Sequence, residues 1–337
     1  MFNLINIIYV IVLSLAIIVY TNTITLWSYL IGQNRKGGEF AKTYAMWLLD
    51  IFYQKGLKST IYFSGKYENT DKIDVIISNH IHPVDFIIQS SIHRNFDKKP
   101  IFFILQKKLV FFPGIGFSMC SALDIKLNRK IEDDLDNLVT SIRKIKNGII
   151  VIMPEGTRFT PEKRVIAQKY SRDNNLPIFK NTLFPKMKGM WLICNILTNE
   201  NRMGNIIDLT LMVENYKHQK IYTKQLLSKK LGNTLCVINN YTTPAGIIQD
   251  YDIFKKWFLD IWKIKDNILV NMYTENDTNI YTKLNNKVST TEYSIAVFLI
   301  ILFTYLMIKT KGRYLGYSLI ISYIITFIRY KLLKKKL

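Results

Sequence analysis

Cysteine is scarce in this chain. Cys120, Cys194 and Cys236 are the only three in 337 residues, and they lie far apart. That excludes a disulfide framework and points to a reducing compartment for the main domain. Histidine is nearly as rare, at four residues. His80 and His82 stand close together, but beyond them only His93 and His218 remain. No second His/carboxylate cluster has ligand spacing, so no metal centre is expected. Acidic residues are also few: 25 Asp and Glu against 46 Lys and Arg give a formal charge of +21. Such an excess favours anionic partners. Nucleic acid is the poorer fit, because neither zinc-finger spacing nor a basic helix with base-reading side chains is present. With apolar chain ends, a basic surface facing anionic lipid is the simpler reading.

Charge is absent from the first 34 residues and begins at Arg35. At ~1.5 Å per residue, Leu4–Ile31 is about long enough as a helix to cross a bilayer. No basic start or small-residue cleavage site marks a removable signal. Residues 1–34 are therefore expected to be a retained anchor, with Thr21-Asn22-Thr23 as a place where it could fold into a hairpin. A second apolar pair, Tyr293–Ile308 and Tyr314–Ile328, is split by the basic loop Lys309–Arg313 and followed by a basic tail. Each piece is shorter than a comfortable span, which predicts a shallow hairpin or tilted spans over residues 290–337.

Between these ends, Arg35–Asn69 reads as an amphipathic helix followed by a strand. Short apolar runs then suggest strands at Asp74–Ser78, Ile101–Leu105, Ile149–Met153, Ile206–Val213 and Thr234–Ile238, with a charged helix over Ile131–Asn147. Residues 250–285 read as helical. Strands interleaved with helices predict an α/β fold in which helices flank a mixed, largely parallel central sheet. One domain over 35–285, with its motif core at 75–190, is the economical organisation.

Two segments carry chemistry. In "ISNHIHPVDFI" the strand ends at Asn79-His80, and Pro83 suits a first helical position. Asp85 would then lie in the first helical turn. The bend lets Asp85 accept a hydrogen bond from His80, fixing the ring and leaving its other nitrogen free to take a proton. In "IIVIMPEGTR" a buried strand opens into a turn. There Gly156 permits a sharp bend, Thr157 offers a hydroxyl and Arg158 presents a planar fork suited to phosphate. A surface arginine after an ordinary strand-end turn is the alternative reading of the second segment.

The two segments together resemble the NHxxxxD and PEGTR blocks of the glycerolipid acyltransferases of the lysophosphatidic acid acyltransferase type. "KKLVFFPGIGF" through "IKLNRK" is similar to the family's second block, with Pro113, Gly116 and Arg129 in place. Gln168–Met190 resembles the approach to the fourth block, and Trp257–Asp266 its downstream helix. Lys186 stands where the family usually has Arg, and Gln106 where Lys is expected. The nearest branch is that of the lysophosphatidic acid, lysophosphatidylinositol and lysocardiolipin enzymes.

The resemblance implies transfer of an acyl chain from acyl-CoA to the free hydroxyl of a lysophospholipid, most simply lysophosphatidic acid. Lysocardiolipin and lysophosphatidylinositol are alternative acceptors. It assigns His80 as base and Asp85 as its orienting partner. Glu155, Gly156, Thr157, Arg158, Arg129 and Lys186 become substrate-binding candidates. No cofactor beyond the co-substrate acyl-CoA is implied. The partners are membrane lipids, with the site facing the cytosol at the endoplasmic reticulum; the terminal "KKKL" resembles a retrieval signal. A non-catalytic module binding anionic lipid, and a thioester hydrolase using the same histidine, are the competing readings.

Overall fold

The computed structural model describes residues 4–51, 53–54, 57–111, 116, 118, 122, 124–128, 131–217, 219–222, 225, 231–274, 280–285, 298, 301–302, 305, 308–313, 316–317, 320 and 324. In chain order the elements begin with α1 (Leu4–Leu30), α2 (Asn34–Ile51), β1 (Ile61–Gly65), β2 (Ile73–Ser78) and α3 (Asp85–Phe96). There follow β3 (Ile101–Gln106), β4 (Ile125–Leu127), α4 (Ile131–Lys144), β5 (Ile149–Ile152), α5 (Pro161–Asp173) and α6 (Met187–Asn199). The last are β6 (Met203–Val213), β7 (Thr234–Tyr241), α7 (Ala245–Ile248), α8 (Tyr251–Thr274) and β8 (Thr282–Lys283). The chain divides into two compact units. One comprises Tyr53–Ile104 and Ile145–Asn285; the other comprises Phe2–Phe52, Leu105–Lys144 and Asn286–Leu337.

The first unit is built on a sheet whose strands run β3-β5-β2-β6-β7-β1-β8. Neighbours from β3 to β6 are parallel, β6 and β7 are antiparallel, β7 and β1 are parallel, and β8 closes the edge antiparallel to β1. The expected mixed, largely parallel α/β sheet is therefore present. Strands covered on both faces read as unbroken apolar runs, and all of β2 and β5 is buried. Val75, Ile76 and Ile77 are fully buried, each contributing roughly 1.5–3 kcal/mol of burial free energy. At the start of β2, buried Asp74 accepts from the Thr70 amide, the Thr70 hydroxyl, the Asn205 amide and Lys99 Nζ, which fixes that end of the strand.

In the second unit α1 packs on α2 through Ile17, Ala45, Trp47 and Leu48. The helices approach closely where Gly37 faces Ser28, since a Cβ at residue 37 would overlap the serine side chain. Lys42 and Asp124 form a buried ion pair at 2.9 Å.

Several expectations need correction. Thr21-Asn22-Thr23 does not interrupt α1. The Thr21 hydroxyl donates back to the Ile17 carbonyl at 2.7 Å, within the helix rather than against it. Against the expected membrane-crossing anchor, no helix among the described residues is long and apolar enough to cross a membrane. Thr21, Asn22, Thr25 and Ser28 are buried instead. The C-terminal hairpin lies largely outside the described residues. The helix expected over 250–285 stops at Thr274, and residues 282–283 pair with β1. The helix expected over 131–147 stops at Lys144, short of Gly148 at φ +139. Finally, α3 starts at Asp85 rather than Pro83, because residues 82–84 form a turn in which the Val84 N–H donates to His82 Nδ1.

Candidate functional site

The neighbouring parallel strands β2 and β5 pair in register, Ile77 opposite Ile152. Three residues beyond each of these come His80 and Glu155, so the two motif segments leave the sheet side by side at its carboxyl end. Ligands of open α/β sheets are bound at that edge. Asn79 marks where β2 ends. Its side chain donates to the Leu211 carbonyl and accepts from the Leu211 amide, both at 2.8 Å, replacing a ladder step to β6.

His80 is held from three directions. Its Nδ1 is 2.7 Å from Asp85 Oδ2. Its N–H donates to Glu155 Oε1 at 3.4 Å, and its carbonyl accepts from the Phe159 N–H at 2.6 Å. The last two bonds tie the histidine loop directly to the PEGTR turn. Asp85 also accepts from the amides of Ile81 at 2.9 Å and His82 at 3.0 Å. One buried carboxylate therefore shapes the loop and orients the ring, and its place in the first turn of α3 favours its charge. Nε2 of His80 makes no hydrogen bond among the described residues, and the side chain remains 21% exposed.

His82, two residues on, is a different kind of histidine. It is fully buried, edge-on to the Tyr53 ring, and its Nδ1 accepts from Val84. Burial pushes its pKa down to about 4, against the pull of Asp85 and with added repulsion from Arg158 and His80. It stays neutral and has no access to a ligand.

In the PEGTR turn the Gly156 N–H closes on the Met153 carbonyl at 2.9 Å, and Gly156 takes φ +66. That is left-handed backbone which only glycine adopts at little cost. The Lys186 chain lies across it: a Cβ here would come within 3.3 Å of Lys186 Cδ and 3.5 Å of its Nζ. The Lys186 amide in turn donates to the Pro154 carbonyl at 2.7 Å. Lys163, in the first turn of α5, reaches back to the Thr157 hydroxyl at 2.5 Å and the Arg158 carbonyl at 3.2 Å. Arg158 itself is exposed, and its guanidinium has neither hydrogen bond nor ion pair among the described residues. Three cations thus converge on one turn whose own carboxylate, Glu155, is turned inward.

Glu155 is buried, with Oε2 unpartnered. Burial pushes its carboxyl well above the usual range, opposed by the amides of His80 and Leu183 and by the charge of Lys265. It lies beneath the histidine loop, not on an open surface. Lys265 is itself fully buried against Asp208 and donates to the Leu209 carbonyl at 2.9 Å. Next along α8, Asp266 accepts from the amides of Lys180, Asn181 and Thr182 at 2.7–2.9 Å, and the Trp262 indole donates to the Leu183 carbonyl at 3.0 Å. α8 therefore fastens the loop that delivers Lys186.

The structure brings together His80, Asp85, Glu155, Gly156, Thr157, Arg158 and Lys186; Arg129 lies outside the described residues. Sequence reasoning missed Lys163, Lys265 and Asp208. The one cue available for Lys163 was the Thr160-Pro161 helix start, where the Thr160 hydroxyl caps α5.

Comparison with known proteins gives three findings. Residues 61–190 match the family model described as Acyltransferase. The chain is 29% identical over 197 residues to the Homo sapiens 1-acyl-sn-glycerol-3-phosphate acyltransferase delta, covering 57% of this chain and 51% of that protein. It is 24% identical over 244 residues to the Arabidopsis thaliana probable 1-acyl-sn-glycerol-3-phosphate acyltransferase 5, covering 70% of this chain and 62% of that one. The chain thus spans about half the length of the first of these relatives. The crystal structure of the Thermotoga maritima 1-acyl-sn-glycerophosphate acyltransferase PlsC superposes with a TM-score of 0.46 at 11% identity, covering 77% of this chain and 97% of that one.

Proposed function

We propose, from the match of residues 61–190 to the Acyltransferase family model, that this chain transfers a fatty acyl group from acyl-CoA to a lysophospholipid. Lysophosphatidic acid is the acceptor and phosphatidic acid the product. The observation that carries the proposal is the 2.7 Å bond from His80 Nδ1 to Asp85 Oδ2, which leaves Nε2 free beside a turn bearing the unpaired Arg158.

An alcohol is a weak nucleophile at neutral pH, so its proton must leave as it attacks. His80 Nε2 takes that proton while the hydroxyl oxygen bonds to the thioester carbon. Asp85 stabilises the resulting imidazolium. When the tetrahedral intermediate collapses, the C–S bond breaks and Nε2 returns the proton to the coenzyme A sulfur. The acyl group never bonds to the protein. Arg158, with Lys163 and Lys186, grips the acceptor phosphate, and positioning of this kind contributes several kcal/mol of barrier reduction.

The acceptor lives in a leaflet, so attachment to the cytosolic face of the endoplasmic reticulum belongs to this proposal. It is supported by the uncharged first 34 residues and the basic tail. The test uses membranes carrying the full chain, labelled acyl-CoA and a panel of lysophospholipids that includes the lysocardiolipin and lysophosphatidylinositol alternatives. Label should enter phosphatidic acid and vanish with His80→Ala. Label released as free fatty acid would make the chain a hydrolase, and lipid binding without turnover would make it a non-catalytic module.

A further inference from the structure

Helix α5 is built inside out. Its single fully buried residue is Ser171. Its hydrogen bonds to the adjoining segment run from Gln168 to the Phe179 carbonyl at 2.8 Å and from Arg164 to the Lys180 carbonyl at 3.5 Å, beside one ring contact from Tyr170 to Phe184. Its large apolar side chains point outward: Val165 is 59% exposed, Ile166 67% and Tyr170 51%, and Ile178 on the adjoining segment is 48% exposed. A helix on a water-bathed domain normally turns its apolar stripe to the core. Contiguous exposed apolar groups rimmed by charge mark a surface that something else covers.

We propose that this outward face of α5, together with Ile178, is a lipid-contact surface that seats an anionic bilayer beside the Arg158 turn. The proposal rests on the acyltransferase reading, which requires the acceptor to be drawn from a leaflet. Three observations choose lipid as the occupant. Charge is the first: α5 carries Lys163, Arg164, Lys169 and Arg172 against Glu162 and Asp173. Lys169 and Arg172 are exposed beside the apolar groups, and Lys180 and Lys188 are exposed on the following segments. Basic side chains flanking an apolar face are what anionic headgroups over acyl chains attract. The second is continuity with the site. Lys163 sits in α5 and bonds Thr157 and the Arg158 carbonyl, so a bilayer on this helix brings headgroup phosphates to the three cations. The third is the amphipathic type of the groups involved. Tyr170 packs against Phe184 with ring centres 5.6 Å apart, and aromatic rings with a polar tip prefer the headgroup level.

The test uses the full chain in nanodiscs of phosphatidylcholine, with or without phosphatidic acid. A fluorophore is placed at Ile166→Cys in a Cys120→Ser background, Cys194 and Cys236 being buried. A control fluorophore goes on Asn201→Cys, an exposed position just before the start of β6, at the opposite end of the sheet from the site. The Ile166 label should be quenched by brominated acyl chains, more strongly with phosphatidic acid, and protected from aqueous iodide; the Asn201 label should show the reverse. Equal iodide quenching at the two positions overturns the proposal. So does an Ile166 label shielded from both quenchers, which would mean that protein covers the helix. The kinetic arm uses Ile166→Asp, a change at an exposed position. It should raise the apparent KM for long-chain lysophosphatidic acid in vesicles by about tenfold, the partitioning of one buried aliphatic side chain. The rate with a monomeric short-chain acceptor should stay unchanged; equal effects on both acceptors would count against a lipid contact. If the unaltered chain acylates no acceptor, the catalytic reading falls while the quenching data still decide the lipid surface.

Discussion

Replacing Asp85 with asparagine preserves shape and removes the charge that organises the site. Oδ2 takes the His80 Nδ1 contact at 2.7 Å, the Ile81 amide at 2.9 Å and the His82 amide at 3.0 Å, while Oδ1 accepts from His82 at 3.1 Å. Asparagine can keep its oxygen at the Oδ2 position only by turning its NH2 against the His82 amide. Turned the other way, the NH2 meets His80 Nδ1 and the Ile81 amide, and the ring is forced into the tautomer whose Nε2 already carries a proton. In both arrangements the imidazolium loses its counter-charge. Triad-type pairs elsewhere show that such a change reduces turnover by about 10²–10⁴, equivalent to roughly 3–5 kcal/mol of barrier. Swapping a charged for a neutral acceptor should cost stability by only roughly 1 kcal/mol per bond, so the protein should still fold. The assay is initial-rate transfer from labelled acyl-CoA across pH, alongside thermal melting. A variant within about fivefold of the parent rate, with an unchanged pH profile, would refute the pairing.

Other expectations follow from the same geometry. Arg158→Ala should raise the acceptor KM by roughly 10- to 100-fold, the worth of a charge-assisted bond. The KM for acyl-CoA should stay unchanged, and Arg158→Lys should recover part of the loss; an equal rise in both KM values would move Arg158 out of the acceptor site. His82, with its pKa held at about 4 by burial, gains protons more readily unfolded than folded. Stability therefore rises with pH through the window from about 4 to 6.5, and acidifying from pH 7 to 5 should cost about 2 kcal/mol through this residue. His82→Asn, which retains an acceptor for Val84, should flatten that part of the urea-unfolding curve. Lys265→Met strands Asp208 without its cation and should cost about 3–5 kcal/mol by thermal or urea melting. Adding Asp208→Leu should return much of that; no recovery would show the two are not energetically paired.

Much of this was legible because its signals are local. Val75–Ile77 of β2 and all of β5 are buried on both faces, so they stand out as apolar runs, and His80 and Asp85 are close enough in sequence for one bend to join them. What escaped notice depends on distant partners. β4 is three residues long, too short for a periodicity. α5 hides its register because its apolar residues face outward. Lys265 and Asp208 are 57 residues apart and meet only because α8 packs over β6. The start of α3 was misplaced because Pro83 suggested a helix, whereas the amides of Ile81 and His82 are needed to hold Asp85.

One pairing has a practical bearing on how the motif region should be handled. β1 lies just inside the matched stretch of 61–190, yet its strand neighbours are β7 and β8, both encoded after residue 190. On its inner side β2 likewise leans on β6, and Lys186 is delivered by a loop that α8 clamps. A fragment cut at the limits of that match would carry both motif segments and still leave a strand unpaired and the cationic cradle untethered. The matched stretch and the foldable unit therefore have different ends, and grafts or truncations should follow the latter.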